Sequence, residues 1–132
     1  MNTGPTPAQR DAILARDWYA CVRCGMSGEQ IHHRAPRKMG GSRHPLMNSF
    51  PNLVLLCGSC HRWVESERDR ARVDGFLLRS PEDGPFVPLA LLKKRPGLTV
   101  YVRLTIDGRK EDLDEADVAY FQRYGQIPRK VE

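Results

Sequence analysis

Two Cys-x-x-Cys turns constrain this 132-residue chain more than any other feature of its sequence. The pairs are Cys21/Cys24 and Cys57/Cys60, and 32 residues separate one pair from the other. Each turn can present two thiolates from one tight loop, and four thiolates satisfy the tetrahedral coordination of zinc. In a reducing compartment such pairs favour metal ligation over disulfides. We therefore predict a structural Zn²⁺ site, which can contribute on the order of 10 kcal/mol to folding; free cysteines or disulfides are the alternative.

Length and composition favour a single domain with a modest core. Apolar residues make up 40% and charged residues 28% of the chain, which is ordinary for a globular protein. A chain of this length buries roughly two-thirds of its unfolded surface, so a metal site would add needed stability. No apolar run approaches the roughly 20 residues that cross a bilayer. Residues 1–10 lack the charged start and apolar block of a signal peptide. A cytoplasmic protein without a membrane partner is expected.

The formal net charge of +5 is unevenly distributed along the chain. No Asp or Glu occurs between His32 and Val64. A basic field of this kind suits a polyanionic partner such as DNA or RNA, although a basic loop can also simply be solvated. The basic residues of this segment are Arg34, Arg37, Lys38, Arg43 and Arg62.

The N-terminal segment is predicted to form a helix over residues 7–17. Thr6 is a suitable N-cap, and Pro7 suits the first helical position. Gly25, at the end of the first Cys-x-x-Cys turn, can adopt the positive φ that such turns require. The side chains expected on the buried face of the helix are Ile13, Leu14 and Trp18.

The central segment is predicted to contain two strands joined by a long loop and followed by a helix. Residues 30–33 and 52–56 are the strands, and residues 34–51 form a Pro- and Gly-rich loop of the length that is often functional. The helix runs from about 61 to 73, and Gly75 lies where a C-terminal stop would.

The C-terminal segment is predicted to add a hairpin and a helix. A short strand over 76–79 precedes a segment rich in Pro, Gly and acid over 80–88, which marks the best internal boundary. Asp107-Gly108 is a hairpin signal. The remaining predicted elements are strands over 98–107 and 110–113 and a helix over 114–124. We accordingly predict an α+β chain with a core over 1–79 and a C-terminal extension over 80–132 packed on it.

The candidate site residues between the cysteine pairs or directly beside them are three of the histidines and one asparagine. His32 and His33 are adjacent on a predicted strand, so their side chains point to opposite faces and cannot do the same job. One can bind a metal while the other faces a water molecule. Asn52 and His61 follow, and the cysteine turns would hold both ends of the segment that carries them.

The predicted helix over 61–73 carries a charged face. His61, Glu65, Arg68 and Arg72 recur at spacings of three or four residues and so share one side. A helix with a metal ligand near its start and two arginines behind it could lie along a phosphate backbone. The alternative is a solvated charged stripe in which Glu65 neighbours Arg68 and Asp69.

Taken together, these motifs carry a family resemblance over residues 18–79. The motifs are Cys21-x-x-Cys24, His32-His33, Asn52-Leu53, Cys57-x-x-Cys60-His61, the loop Arg37-Lys38-Met39-Gly40-Gly41 and the helix start Cys60-His61-x-Trp63-Val64-Glu65-Ser66. They resemble the HNH endonucleases, also called ββα-metal or His-Me finger nucleases, and most closely the zinc-containing branch common in bacteriophage genomes. The resemblance implies a small ββα-metal core stapled by the four cysteines.

The resemblance also implies roles for individual residues. His33 would be the general base that takes a proton from the attacking water, and Asn52 would hold the His33 loop or orient its imidazole. His32 and His61 would bind one catalytic Mg²⁺, Mn²⁺ or other divalent ion. Glu65, one helical turn after His61, is a possible third ligand.

The first functional reading is therefore a metal-dependent DNA endonuclease that nicks or cuts with little sequence specificity. Its phosphate contacts would come from Arg37, Lys38, Arg43, Arg68 and Arg72, and from Arg34, which stands where many relatives carry an aliphatic residue. The second reading is a zinc-knuckle nucleic-acid-binding module without catalysis. A third, compatible with the first, is an accessory protein of phage genome packaging that acts beside the terminase in the bacterial host cytoplasm; it rests on analogy alone.

Overall fold

The computed structural model describes residues 4–36, 44–92 and 100–124. Its architecture is α+β: a two-stranded sheet with a helix, a three-stranded sheet, and a helix at either end of the chain. Over these residues the elements are α1 (Pro7–Arg16), β1 (Gln30–His33), β2 (Leu53–Leu56), α2 (Gly58–Ser66), α3 (Arg68–Val73), β3 (Leu89–Leu91), β4 (Val100–Leu104), β5 (Lys110–Leu113) and α4 (Glu115–Tyr124), with 3₁₀ turns at Phe50–Asn52 and Pro81–Phe86.

The ββα unit formed by β1, β2 and α2 is the centre of the molecule. β1 and β2 pair antiparallel, with His32 opposite Val54 and His33 opposite Leu53. All four residues of β2 are buried, as expected for an uninterrupted apolar run that is covered on both faces. The loop between the strands is long, so the ends of β1 and β2 present their side chains beside it.

A buried ion pair fastens α1 to β2. The Arg16 guanidinium bonds both oxygens of Asp17 at 2.8 Å and donates to the carbonyls of Phe50 and Leu53. Oδ2 of Asp17, which accepts from Arg16, also accepts the backbone N–H of Leu55 at 3.0 Å. Asp17, rather than an apolar residue, therefore occupies the inward position at the end of the helix.

The predicted burial of Trp18 is wrong, whereas that of Ile13 is confirmed. Ile13 is fully buried, but Trp18 and Tyr19 are 83% and 65% exposed. The chain leaves α1 in the left-handed region, with φ of 57° at Trp18 and 56° at Tyr19. The Tyr19 N–H donates back to the Leu14 carbonyl at 2.9 Å, which closes the helix end. This turn directs both aromatic side chains outward.

Trp18→Gly is expected to raise the free energy of unfolding by about 0.5–1 kcal/mol. The left-handed conformation costs an L-residue roughly 1–2 kcal/mol, and the backbone entropy of glycine offsets only part of that. Few contacts are lost, because the side chain is exposed. Chemical denaturation of the zinc-loaded protein measures the change. In the matched control, Ala12→Gly in the middle of α1 should lower stability by about 1 kcal/mol; a loss of stability at both positions would refute the strain argument.

The single helix predicted over residues 61–73 is instead two helices. α2 begins at Gly58, earlier than predicted, because the Cys57 sulfur accepts the Cys60 N–H and caps it. It ends at Ser66, because the next residue, Glu67, has a φ of −120° and a ψ of 56° that are not helical, and α3 starts directly afterwards. The bend turns Ala71 into the core. The spacing that would place Arg68 and Arg72 on the His61 face does not hold across this break.

The second sheet has the order β3-β4-β5 and is antiparallel throughout. β5, α4 and the Asp107-Gly108 turn are confirmed, and Gly108 has the positive φ of 88° that the turn needs. β4 is shorter than predicted over its described part. The strand predicted over 76–79 is wrong: this segment is irregular, although Phe76, Leu77 and Leu78 are buried, and the strand lies further on, at β3.

One hydrophobic cluster joins the ββα unit to the second sheet. Val54, Leu56 and Val64 pack in the same cluster as Leu89 and Val102. The segment 80–88, chosen as the internal boundary, packs closely against the core: a Cβ added at Gly84 would lie 2.9 Å from the Cβ of Pro51. The division at residue 79 stays a prediction, and residues on its two sides are in close van der Waals contact.

Candidate metal centre and active site

The four cysteines form one cluster. Their sulfur atoms all lie within 4.8 Å of one another, and the Cys24 and Cys57 sulfurs are 3.7 Å apart. Four thiolates around zinc, with Zn–S bonds of 2.3 Å, place neighbouring sulfurs about 3.8 Å apart. A disulfide would require about 2.0 Å, and all four thiols are free. The cluster therefore fits a metal ion and not a pair of disulfides.

Local backbone geometry delivers each cysteine pair to the cluster. In the first turn the Gly25 N–H donates to the Cys21 carbonyl at 2.8 Å, and Gly25 has the predicted positive φ, at 82°. In the second turn Cys57 caps α2 and Cys60 lies in its first turn. The metal site thus joins the N-terminal knuckle to the junction between β2 and α2.

Arg23 supports the cluster from one side, a role that sequence analysis missed. Its guanidinium lies 3.6 Å over the Trp63 ring and donates to the Cys60 sulfur at 3.4 Å. Burial raises the pKa of the Cys60 thiol to about 12, against the opposing effect of the Arg23 hydrogen bond. A divalent ion with four thiolates carries two net negative charges, which an adjacent cation stabilises. The sequence feature that indicates this role is the position of Arg23 between the first two cysteines.

The rings of His32 and His61 lie close to each other. Their ring centres are 5.4 Å apart at an angle of 66°. His32 Nε2 lies 2.8 Å from the Phe76 carbonyl; since a carbonyl only accepts, Nε2 carries the proton and Nδ1 the lone pair. Burial lowers the pKa of His32 to about 4, so the ring is neutral. Two imidazoles on one ion have ring centres about 5 Å apart, and the separation of His32 and His61 is of that size.

Glu65 is not brought to the histidine pair. In the part of the chain that the structure describes, the cysteine cluster is the only group of three or more His, Cys, Asp or Glu whose donor atoms gather within 4.8 Å. The Glu65 carboxylate is exposed and lies 3.4 Å from Arg68, as in the solvated-stripe alternative. With His32 and His61 as protein ligands, water and substrate oxygens would complete the shell of an ion.

His33 contacts a residue that sequence analysis did not single out. Its Nε2 lies 2.8 Å from Oδ1 of Asn48, in the loop before β2. The two residues are 15 positions apart, and no local pattern connects them. The side chain of His33 is partly buried at the end of β1.

Asn52 is fully buried and fastens the loop on both sides. Its Oδ1 accepts the Ala35 N–H at 2.8 Å, two residues beyond His33. Its Nδ2 donates to the Met47 carbonyl at 2.7 Å, next to Asn48. These bonds tie together the two backbone segments that carry the His33–Asn48 pair.

The residues predicted to contact DNA differ in their exposure to solvent, and some lie outside the described residues. Arg37, Lys38 and Arg43 lie outside the described residues. Arg68 and Arg72 are exposed on α3. The prediction for Arg34 is wrong: its side chain is fully buried, and its guanidinium donates to four backbone carbonyls, so it has no surface to offer to a phosphate.

Within the described ranges, no helix combines the length and apolarity that spanning a membrane requires.

Comparison with known proteins identifies the family of the central segment. The sequence model described as HNH endonuclease matches residues 21–67. The match starts at the first cysteine of the first turn, includes both cysteine pairs, the histidines and Asn52, and ends just beyond α2. Curated proteins and solved structures gave no match. The match, the ββα unit and the four-cysteine cluster agree: the chain carries, over residues 21–67, a domain of the HNH endonuclease family, consistent with its zinc-containing branch.

Proposed function

We propose that this protein is a metal-dependent DNA endonuclease that hydrolyses phosphodiester bonds by nicking or cutting, with low sequence specificity. The observation that carries the proposal is the His32–His61 pair, with ring centres 5.4 Å apart, on the strand and helix of an HNH unit. A zinc-stabilised nucleic-acid-binding module would have no need of two imidazoles in this arrangement.

His32 and His61 would hold the catalytic ion, Mg²⁺, Mn²⁺ or another divalent metal. The hydrogen bond from His32 Nε2 to the Phe76 carbonyl fixes the ring and leaves the Nδ1 lone pair for ligation, as outer partners of metal-binding histidines commonly do. A bound ion supplies Lewis-acid stabilisation of the charge on the scissile phosphate and the leaving 3′ oxygen.

His33 would act as the general base. A neutral imidazole takes a proton from water effectively near physiological pH and contributes roughly 10²–10⁴-fold to the rate. His33 follows His32 directly on β1, so the base and the ion-binding ring are fixed by the same strand. Asn52 would support the base indirectly, through its hydrogen bonds to Ala35, two residues after His33, and to Met47 in the facing loop.

DNA as the substrate is supported by the charge of the chain. The exposed Arg68 and Arg72 lie on α3, directly after the helix that carries His61. The basic loop residues Arg37, Lys38 and Arg43 belong to the same proposal on sequence alone. Membership of the phage-type branch and a role beside a terminase in genome packaging also rest on the sequence resemblance alone.

The test is nicking of supercoiled plasmid with Mg²⁺ or Mn²⁺. His33→Ala should lower the rate by about 10²–10⁴-fold, while its zinc content and thermal unfolding stay as in the wild type. Omission of Mg²⁺ and Mn²⁺ from the zinc-loaded wild type should stop nicking. Gln30→Ala, an exposed position on the same strand, is the matched control and should nick normally. Equal nicking by wild type and His33→Ala would exclude His33 as the base. DNA binding without nicking in any metal would favour the non-catalytic module.

A further inference from the structure

We propose that Asn48 is a positioning residue for His33, holding its imidazole in one orientation and one tautomer. The inference rests on the proposed function, in which His33 is the general base. Its starting point is the contact of 2.8 Å between Asn48 Oδ1 and His33 Nε2. Asn48 is not among the motif residues that carry the family resemblance.

The chemistry of this contact decides which ring nitrogen is basic. A carboxamide oxygen can only accept, so Nε2 carries the proton and Nδ1 is the unprotonated nitrogen. A general base needs an unprotonated nitrogen directed at its water, and the hydrogen bond made by the other nitrogen selects it. With Asn48 in place, Nδ1 is the atom of His33 that accepts the proton.

The loop that carries Asn48 is internally braced. The Met47 N–H donates to the His44 carbonyl and the Ser49 N–H donates to the Leu46 carbonyl, each at 3.0 Å. The Ser49 hydroxyl donates to the same Leu46 carbonyl at 2.7 Å. These turns fix the backbone on both sides of Asn48, so its side chain reaches His33 from a defined position.

Asn52 links this loop to the strand of the base. Its buried carboxamide accepts from Ala35, two residues after His33, and donates to Met47, the neighbour of Asn48. Both partners of the His33–Asn48 bond are thus anchored by one fully buried group. Asn52 therefore acts on the base indirectly, through the backbone, whereas Asn48 touches the ring with its side chain.

The tautomer of His33 can be read directly from ¹⁵N-resolved NMR spectra of the full-length, zinc-loaded protein, with the signals assigned by their loss in His33→Gln. The wild type should show the Nε2–H tautomer. Asn48→Ala should give a mixture of tautomers, whereas Asn48→Asp, which keeps an acceptor oxygen, should retain Nε2–H. Gln30→Ala, at an exposed position on the strand that carries His33, should leave the spectrum unchanged.

Plasmid nicking provides the second readout. Asn48→Ala should lower kcat about 10²-fold with KM unchanged, the size expected for a misplaced catalytic group, and Asn48→Asp should recover part of the rate. An Nδ1–H tautomer in the wild type, or an unchanged tautomer in Asn48→Ala, would overturn the inference. If the tautomer changes as expected but the wild type does not nick, the role of Asn48 in holding the ring stands and the proposed nuclease function fails.

Discussion

Removal of the metal from the four-cysteine cluster should unfold the domain and not merely inactivate it. Cys21, Cys57 and Cys60 belong to the hydrophobic core. Without the metal their thiols would no longer be held together, and the two chain segments that carry the cysteines would lose their link. A structural zinc site contributes on the order of 10 kcal/mol, which is comparable to the 5–15 kcal/mol that stabilises a typical domain. A strong chelator should therefore abolish the near-ultraviolet circular dichroism signal and the dispersion of amide resonances.

Single substitutions separate loss of the ligand from general damage to the turn. Cys60→Ser should lower the zinc content to well below one ion per chain and give an unfolded or aggregating protein. Ser59→Ala changes the neighbouring exposed residue of the same turn and should bind zinc and unfold as the wild type does. A native spectrum in the chelated protein, or in Cys60→Ser, would contradict a structural role for the metal.

The features that the sequence predicted correctly are those set by local chemistry. Thr6 and Pro7 begin α1 as expected, and Gln9 completes a capping box with Thr6. Asp107-Gly108 makes the turn into β5, and each Cys-x-x-Cys turn takes its shape from its own few residues. Where a short stretch contains its own turn residues or caps, the surrounding fold does not need to be known.

The features that were missed depend on partners distant in sequence. Asn48 is recognised only when β1 and the loop are brought together, because His33 lies 15 residues before it. Trp18 has an apolar side chain at a helical spacing, but the inward position is taken by Asp17, whose partner Leu55 is 38 residues away. Tertiary contacts outweighed local pattern in both cases.

Arg34 is the clearest case, since the same residue type suits a phosphate contact or a buried anchor equally well. The guanidinium donates to the carbonyls of Gly75, Pro51, Gly84 and Val87 at 2.7–2.9 Å. These carbonyls belong to three separate segments: the first 3₁₀ turn, the turn directly after α3, and the second 3₁₀ turn with the residue that follows it. Local sequence cannot distinguish the two roles, because the acceptors lie 17 to 53 residues away.

Arg34→Met should lower the free energy of unfolding by about 3–5 kcal/mol, since it leaves four backbone carbonyls, three of them in buried residues, without their donor at roughly 1 kcal/mol or more for each. Burial lowers the pKa of Arg34 to about 9, so the group remains charged at neutral pH and its full set of donors is present. Arg34→Lys keeps the charge but offers a single point of donation, so it should restore little of the loss. The same change at the exposed Arg79, Arg79→Met, is the matched control and should alter stability by less than about 0.5 kcal/mol.

Urea denaturation of the three zinc-loaded variants measures these differences in stability. A lysine variant as stable as the wild type would mean that the charge alone, and not the several donors of the guanidinium, holds these segments together.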